Sequence, residues 1–397
     1  MAHQRLDSIW TPTFMLLCGA QFLGYSQHSM LAPALPLYVT QLGGSPFIVG
    51  VVLASFAVTS VFVRPLVGHW ADHWSEAGVL VSGLLFQGTC IFLCFIPLVE
   101  AAMLANGLRG IGWAGLNTGG YSLLALTAPE SRRGEASGLY SGVQSAATIL
   151  FPAVALWLIH ASFGGFRVVF AVTGALSFLG AIAGMVMARY VPRGARPPQP
   201  AEPTLWRREL FRFVEREVFL PSLLLLWLNL SLPSMTNFIV LYARQLGLEN
   251  FGIYFIVNGA TSLLARPLLG RVSDNIGRAR SVAAGFVLQV IALVLIAAVS
   301  SLPAVILCGV LYMLGNAIGC STILALAVER ADPRRRGKAM ATFSVAYPLS
   351  YGVGSLFAGG AVEIAGYVGM FLILAGLEAA GLLFGIAKAQ KIDSNAV

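Results

Sequence analysis

Arg64-Pro65-Leu66-Val67-Gly68-His69-Trp70-Ala71-Asp72 returns as Arg266-Pro267-Leu268-Leu269-Gly270-Arg271-Val272-Ser273-Asp274, with Arg, Pro, Gly and Asp in register at an offset of 202 residues. Two shorter strings repeat at nearly the same distance. Arg132-Arg133-Gly134 recurs as Arg335-Arg336-Gly337, and Gln41-Leu42-Gly43 as Gln245-Leu246-Gly247. Self-similarity over so long a period points to two domain-sized halves rather than to a short-period solenoid.

Composition says what kind of domain is doubled. Hydrophobic residues fill 57% of the 397 positions and charged residues only 11%, about half the charged fraction of ordinary soluble domains. The apolar runs reach the length of about 20 residues that a helix needs to cross a hydrocarbon core. They predict an all-α membrane protein of twelve transmembrane helices, from 13–34 to 367–388, six in each half. The expected division is a six-helix bundle over 1–188, a linker over 189–218 and a second bundle over 219–397.

The net charge of +8 would suggest a nucleic-acid partner in a soluble protein. Here the basic residues segregate by loop, with only Arg167 and Arg244 on the odd-numbered connections. That is the positive-inside signature, and it predicts a multi-pass membrane protein with both termini cytoplasmic; the expected location is the bacterial inner membrane. Nucleic acid is not expected as a partner. Within the linker, Trp206, Leu210, Phe213 and Val214 fall at helical spacing opposite Arg207, Arg208 and Arg212. They read as an amphipathic helix on the membrane surface or as a solvated connector.

Twelve spans in two halves, a basic linker and the doubled G-x-x-x-D element together resemble the major facilitator superfamily of secondary transporters, over essentially the whole chain. Its signature loop is matched most fully by Gly270, Asp274, Gly277, Arg278 and Arg280. The first copy keeps Gly68 and Asp72 but continues His73-Trp74-Ser75-Glu76 where the family carries a glycine among basic residues. The resemblance implies a cytoplasmic gate built from Arg64, Gly68, Asp72, Arg132, Arg133, Arg266, Gly270, Asp274, Gly277, Arg278, Arg335 and Arg336. In that gate each loop aspartate meets basic residues and a helix start of the opposite half, an arrangement the helix dipole favours. Within the superfamily the chain looks most like twelve-helix efflux permeases, including the exporter of the metallophore staphylopine. Arg109-Gly110-Ile111-Gly112 is similar to the intramembrane element of drug/proton antiporters, whereas Phe151-Pro152 stands where those carry Gly-Pro.

In such a bundle the first and fourth helices of each half line the cavity. Gln21, Tyr25 and His28 share one face of the first span; Arg109, Trp113 and Asn117 share one face of the fourth. At an offset of 203 the latter three become Tyr312, Asn316 and Cys320. Asn229, Asn258, Gln144, Tyr347 and Tyr351 complete the expected lining. Arg109 is the basic residue deep in a span, where an unpartnered charge costs several kcal/mol, so it must face the interior. Arg109, His28 and Glu378 are the candidates for proton coupling, although the resemblance places the helix of Glu378 outside the cavity. His28 reads equally as a packing group among Ser26, Gln27 and Ser29.

This lining is polar and aromatic with one cation, which suits a neutral, amphiphilic or mildly anionic substrate. The expected function is proton-coupled export of a small organic molecule by a monomer, through rocker-switch alternating access. An uptake symporter or uniporter for a nutrient or metallophore is the first rival; a non-transporting sensor or scaffold on the same fold is the second. No phosphate-binding loop or nucleophile elbow occurs, so neither a pump driven by ATP nor an enzyme is expected. Cofactors and metals are not expected either. His69 and His73 have helical ligand spacing but read as loop residues, and the five cysteines lie in spans without a zinc or disulfide pattern.

Overall fold

A computed structural model describes residues 9–190, 215–331 and 336–388. Among these residues there is no strand. The helices are α1 (Pro12–Gln41), α2 (Pro46–His73), α3 (Glu76–Cys90, extended by a 3-10 turn, Ile91–Phe95), α4 (Val99–Thr127), α5 (Arg133–His160) and α6 (Phe166–Ala188). They continue with α7 (Phe219–Leu228), a π-helix Ser234–Phe238 running into α8 (Ile239–Gln245), α9 (Gly252–Ile276), α10 (Arg278–Ile296), α11 (Leu302–Arg330) and α12 (Arg336–Ala387). Two of these depart from a one-span, one-helix reading. α7 and α8 together make the first span of the second half, interrupted after Leu228. α12 is two helical legs meeting at Gly366, whose φ of +69° no side-chain-bearing residue adopts cheaply.

Seven helices or helical segments are long and apolar enough to cross a membrane: those within α2, α3, α5, α6, α10, α11 and α12. α1 and α4 are as long but fall short in hydropathy, because they carry the polar side chains that the sequence points to. The chain clusters into two compact units, Met1–Ala34 with Val58–Trp206 and Leu35–Ala57 with Arg207–Val397. The turn from α1 to α2 therefore groups with the second unit. There Glu363 Oε2 accepts from Ser45 Oγ at 2.9 Å and from the Phe47 N–H at 3.1 Å, satisfying a donor that α2 leaves open at its start. The proposed linker helix falls on 191–214, outside the described residues.

In the first unit Leu17, Leu80, Leu84, Leu116 and Tyr140 centre the core. In the second, Leu224, Leu228, Phe286 and Ile323 do so. Both units use glycine to bring the same pair of helices together. A Cβ on Gly112 of α4 would lie 2.5 Å from the Gly83 carbonyl of α3, and one on Gly315 of α11 would lie 2.7 Å from the Gly285 carbonyl of α10. Backbones this close fix the rotation of α4 and α11 about their axes, and with it the direction in which Arg109 leaves α4.

Candidate functional site

In the first unit α1, α4 and α5 are joined by polar contacts. Gln21 Nε2 donates to the Leu116 carbonyl at 3.0 Å, and Gln21 Oε1 accepts from Gln144 Nε2 at 3.3 Å. One turn further, Tyr25 OH donates to Asn117 Oδ1 at 2.8 Å, while Asn117 Nδ2 donates to the Trp113 carbonyl at 2.9 Å. His28 stacks on Trp113 with ring centroids 4.1 Å apart, and Tyr25 packs on the same indole at 4.7 Å. The spacing of four and three along α1 thus meets the spacing of four along α4, rung by rung.

Arg109 ends this ladder, 2% exposed. Its Nη1 donates to Asn106 Oδ1 at 2.7 Å and its Nη2 to Gln27 Oε1 at 3.4 Å. It also lies within electrostatic reach of His28, Cys90 and Cys94. Asn106 and Gln27 were not singled out from sequence. Asn106 is one turn before Arg109 on α4, and a buried guanidinium with five donors needs acceptors within such reach; that was the available signal.

The second unit builds its polar group around the interruption between α7 and α8. Asn229 Oδ1 accepts from Asn316 Nδ2 at 3.1 Å, and its Nδ2 bonds the Leu225 carbonyl at 2.9 Å, with Cys320 Sγ 3.5 Å away. Ser231 Oγ lies 2.7 Å from Tyr312 OH and donates to Glu378 Oε1 at 2.6 Å. Beyond the interruption Tyr254 OH donates to the Met235 carbonyl at 2.9 Å, and Tyr351 donates to Asn237. Asn229, Asn316 and Cys320 are therefore brought together, Tyr312 joins Ser231 close by in sequence, and Tyr351 lies apart with Asn237. Asn258 turns back to the Tyr254 carbonyl at 2.8 Å, and Tyr347 is 47% exposed. Ser231 is the residue that sequence reading missed. A lone serine in Leu230-Ser231-Leu232-Pro233 gives little signal besides the proline two positions on.

The offset of 203 now has a structural counterpart. Asn117 meets Tyr25 of α1 as its counterpart Cys320 meets Asn229 at the end of α7, and Arg109 reaches Gln27 as Tyr312 reaches Ser231. The sequence profile described as Major Facilitator Superfamily matches residues 17–262 and 243–394. The chain belongs to the major facilitator superfamily. It is 26% identical over 283 residues to the "Multi-drug resistance efflux pump PmrA" of Streptococcus pneumoniae serotype 4, covering 68% of this chain and 69% of that protein. The "Staphyloferrin B transporter" of Staphylococcus aureus is 25% identical over 202 residues, 48% of this chain and 47% of its own. Among solved structures, a bacterial homolog of the human lysosomal transporter Spinster, in an inward-facing and unoccupied conformation, superposes with a TM-score of 0.76 at 16% identity, covering 96% of both chains. The chain is thus a membrane transporter of this superfamily with efflux pumps among its relatives.

The superfamily's signature loop explains one glycine directly. α9 ends at Ile276 and α10 begins at Arg278, so Gly277 alone turns the chain, at φ +88°. Any side chain there would be strained. The first copy turns differently. α3 is capped by Ser75, whose Oγ accepts from the Gly78 N–H at 3.0 Å from an extended backbone. A serine cap replaces the left-handed glycine, which accounts for the departure noted above. Of the remaining gate candidates, Arg64 and Gly68 are half-buried on α2, and Arg133 is exposed. Arg132 pairs with Glu135 at 2.7 Å, and Arg278 with Glu329 at 2.7 Å. Asp72, Arg266, Gly270, Asp274, Arg335 and Arg336 lie outside the residues described to the side chain.

Proposed function

We propose that this transporter is a proton-driven exporter of a small organic molecule, neutral and amphiphilic or mildly anionic, acting as a monomer by alternating access in a bacterial inner membrane with both termini cytoplasmic. Arg109 carries the substrate class. A buried guanidinium oriented by the amide oxygens of Asn106 and Gln27 presents a fixed positive potential that draws an anionic or strongly polarised group. The Trp113, Tyr25 and His28 rings beside it offer flat apolar faces to the rest of an amphiphile. By itself the second unit carries Asn229, Asn316, Tyr312 and Cys320, a polar group without a cation. The efflux names among the relatives support export as the direction, and the doubled loop supports the gate residues named from sequence.

The test is a thermal-stabilisation screen of purified protein against matched anionic, neutral and cationic amphiphiles. Compounds that stabilise are then followed in proteoliposomes under an imposed proton gradient. Stabilisation by anionic or neutral compounds, lost in Arg109→Ala, and gradient-driven movement in the export direction are expected. Stabilisation confined to cations and unchanged in Arg109→Ala would overturn the substrate class. Uptake in the direction of proton entry would replace export by import.

A further inference from the structure

Glu378 lies on the second leg of α12 and is 1% exposed. A carboxyl group this far inside a membrane-spanning helix demands an account, because enclosing it is costly unless it is paired or has work to do. Among the described residues it has no ion-pair partner. Its Oε1 takes the 2.6 Å bond from Ser231 Oγ, and its Oε2 has no hydrogen-bond partner. The titratable group in electrostatic reach of this seat is Tyr312 on α11, bonded to the same Ser231; Cys320 on α11 and Tyr254 on α9 neighbour Tyr312 in turn, and none of the three can carry a positive charge. α10 presents Phe286 beside Gly381, one turn along from Glu378, and α7 presents no ionisable group.

Ser231 sits in the interruption of α7–α8. There the regular ladder gives way to short-range bonds, Leu230 N–H to Trp227, Leu232 N–H to Asn229 and Ser234 N–H to Ser231. α12 holds this break at its edge and within it. Trp227 Nε1 donates to the Leu377 carbonyl at 2.6 Å, immediately before Glu378. On the first leg of α12, Gly354 approaches the Leu230 carbonyl so closely that no Cβ would fit. The side chain of Glu378 thus reaches an interrupted helix at its weakest point, and interrupted helices are where transporters of this general kind place ions.

We propose that Glu378 is the proton-exchanging group of the second unit and that its proton sets the grip of α12 on the α7–α8 interruption. When the carboxylate is ionised, the hydroxyl of Ser231 donates to it, and Tyr312 can donate to Ser231, so both hydroxyls point toward the charge. A proton arriving from water bonds to Oε2, the oxygen without a partner, and Oε1 becomes a neutral carbonyl oxygen. The bond from Ser231 loses its charge assistance and roughly half its strength. The interruption is then freer to bend; when the proton leaves to water on the other side, the grip returns. This rests on the proton-coupled reading above, but its test needs no substrate.

The test is infrared difference spectroscopy of purified protein across a pH titration, following the carbonyl stretch of a buried protonated carboxyl. Wild type should show one such band. It should vanish in Glu378→Gln, persist in Glu363→Gln, where the carboxyl is exposed, and shift in Ser231→Ala, which keeps the acid and removes its partner. In parallel, maleimide labelling of protein carrying Cys320 as sole cysteine, taken relative to a small-molecule thiol at the same pH so that thiol ionisation cancels, should change about threefold or more with pH, and lose that dependence in Glu378→Gln. A band that survives Glu378→Gln, or its absence from wild type, overturns the assignment. Labelling that keeps its pH dependence in a folded Glu378→Gln protein overturns the mechanical step. If these results hold but no proton-driven export is found, the transport reading fails and the proton site stands.

Discussion

Replacing Gly112 by alanine tests the geometry that aims Arg109. The new methyl would lie 2.5 Å from both the Gly83 carbonyl oxygen and Gln87 Cγ, where ordinary contact needs roughly 3.5 Å. α3 and α4 must then part by about 1 Å along their shared face, an overpacking that costs about 1–3 kcal/mol. Against this, alanine is the better helix former by about 1 kcal/mol. Gly138→Ala on α5 isolates that second effect, because a Cβ there meets nothing within 4 Å. The two variants should therefore differ in stability by about 1–3 kcal/mol, Gly112→Ala below wild type and Gly138→Ala level with it or slightly above. Thermal unfolding in detergent, followed by a thiol-reactive dye reporting buried Cys90 and Cys94, measures the difference. Since α4 also carries the 2.8 Å Asn117 bond and the 3.4 Å Arg109 bond to α1, Gly112→Ala should weaken ligand stabilisation as well. Equal unfolding of the two variants would refute the close α3–α4 approach and, with it, the argument for the orientation of Arg109.

Arg109→Ala should abolish ligand stabilisation while the protein still purifies as a folded monomer; retained stabilisation would remove Arg109 from the site. Gly277→Ala forces a side chain to φ +88° and should cost about 1–2 kcal/mol, read as a lower unfolding temperature; no change would mean the α9–α10 turn has another conformation. Glu363→Ala removes an exposed acceptor from the start of α2 and should cost no more than about 1 kcal/mol. Hydrogen exchange at Phe47 and its neighbours should nonetheless accelerate several-fold, and unchanged exchange would show that the carboxylate does not hold that turn.

Repeat and periodicity carry most of the fold. Arg64–Asp72 and Arg266–Asp274 need no structure to reveal a duplication, and runs without charge need none to reveal helices in a membrane. The two faces that make the ladder were legible as faces, because Gln21, Tyr25 and His28 on α1, and Arg109, Trp113 and Asn117 on α4, sit at spacings that put each set on one side; the bonds between the two faces were not. What sequence could not supply is contact between residues that no period relates. Ser231 is inconspicuous until a carboxyl from 147 positions away reaches it. The break after Leu228 comes from tertiary bonds around Asn229 and Ser231 as much as from Pro233. The continuation of α12 past Gly366 depends on one backbone torsion, which a Val-Glu-Ile-Ala-Gly string does not announce. Gln87 and Gln289 show the same limit. They are related by 202 residues and both fully enclosed, with neither amide end hydrogen-bonded, yet in the sequence they are two unremarked glutamines.

The duplication also bears on how the two proposed functions are joined. Arg109 and Tyr312 are counterparts in the two units, and each reaches the helix that opens its own unit. One is a cation; the other is a phenol that meets the carboxyl of Glu378 through Ser231. If an anionic or polarised substrate is drawn to the first and a proton to the second, the two do not compete for one side chain. Coupling by direct displacement is then excluded, and proton and substrate can influence each other only by favouring different conformations of the helices that carry them. The consequence is measurable. Arg109→Ala should leave the Glu378 carboxyl band and its pH midpoint as in wild type without ligand, and should remove the shift in that midpoint produced by a stabilising ligand in wild type. A midpoint displaced by Arg109→Ala alone would mean that the charges interact directly, and the separation of roles between the two units would have to be abandoned.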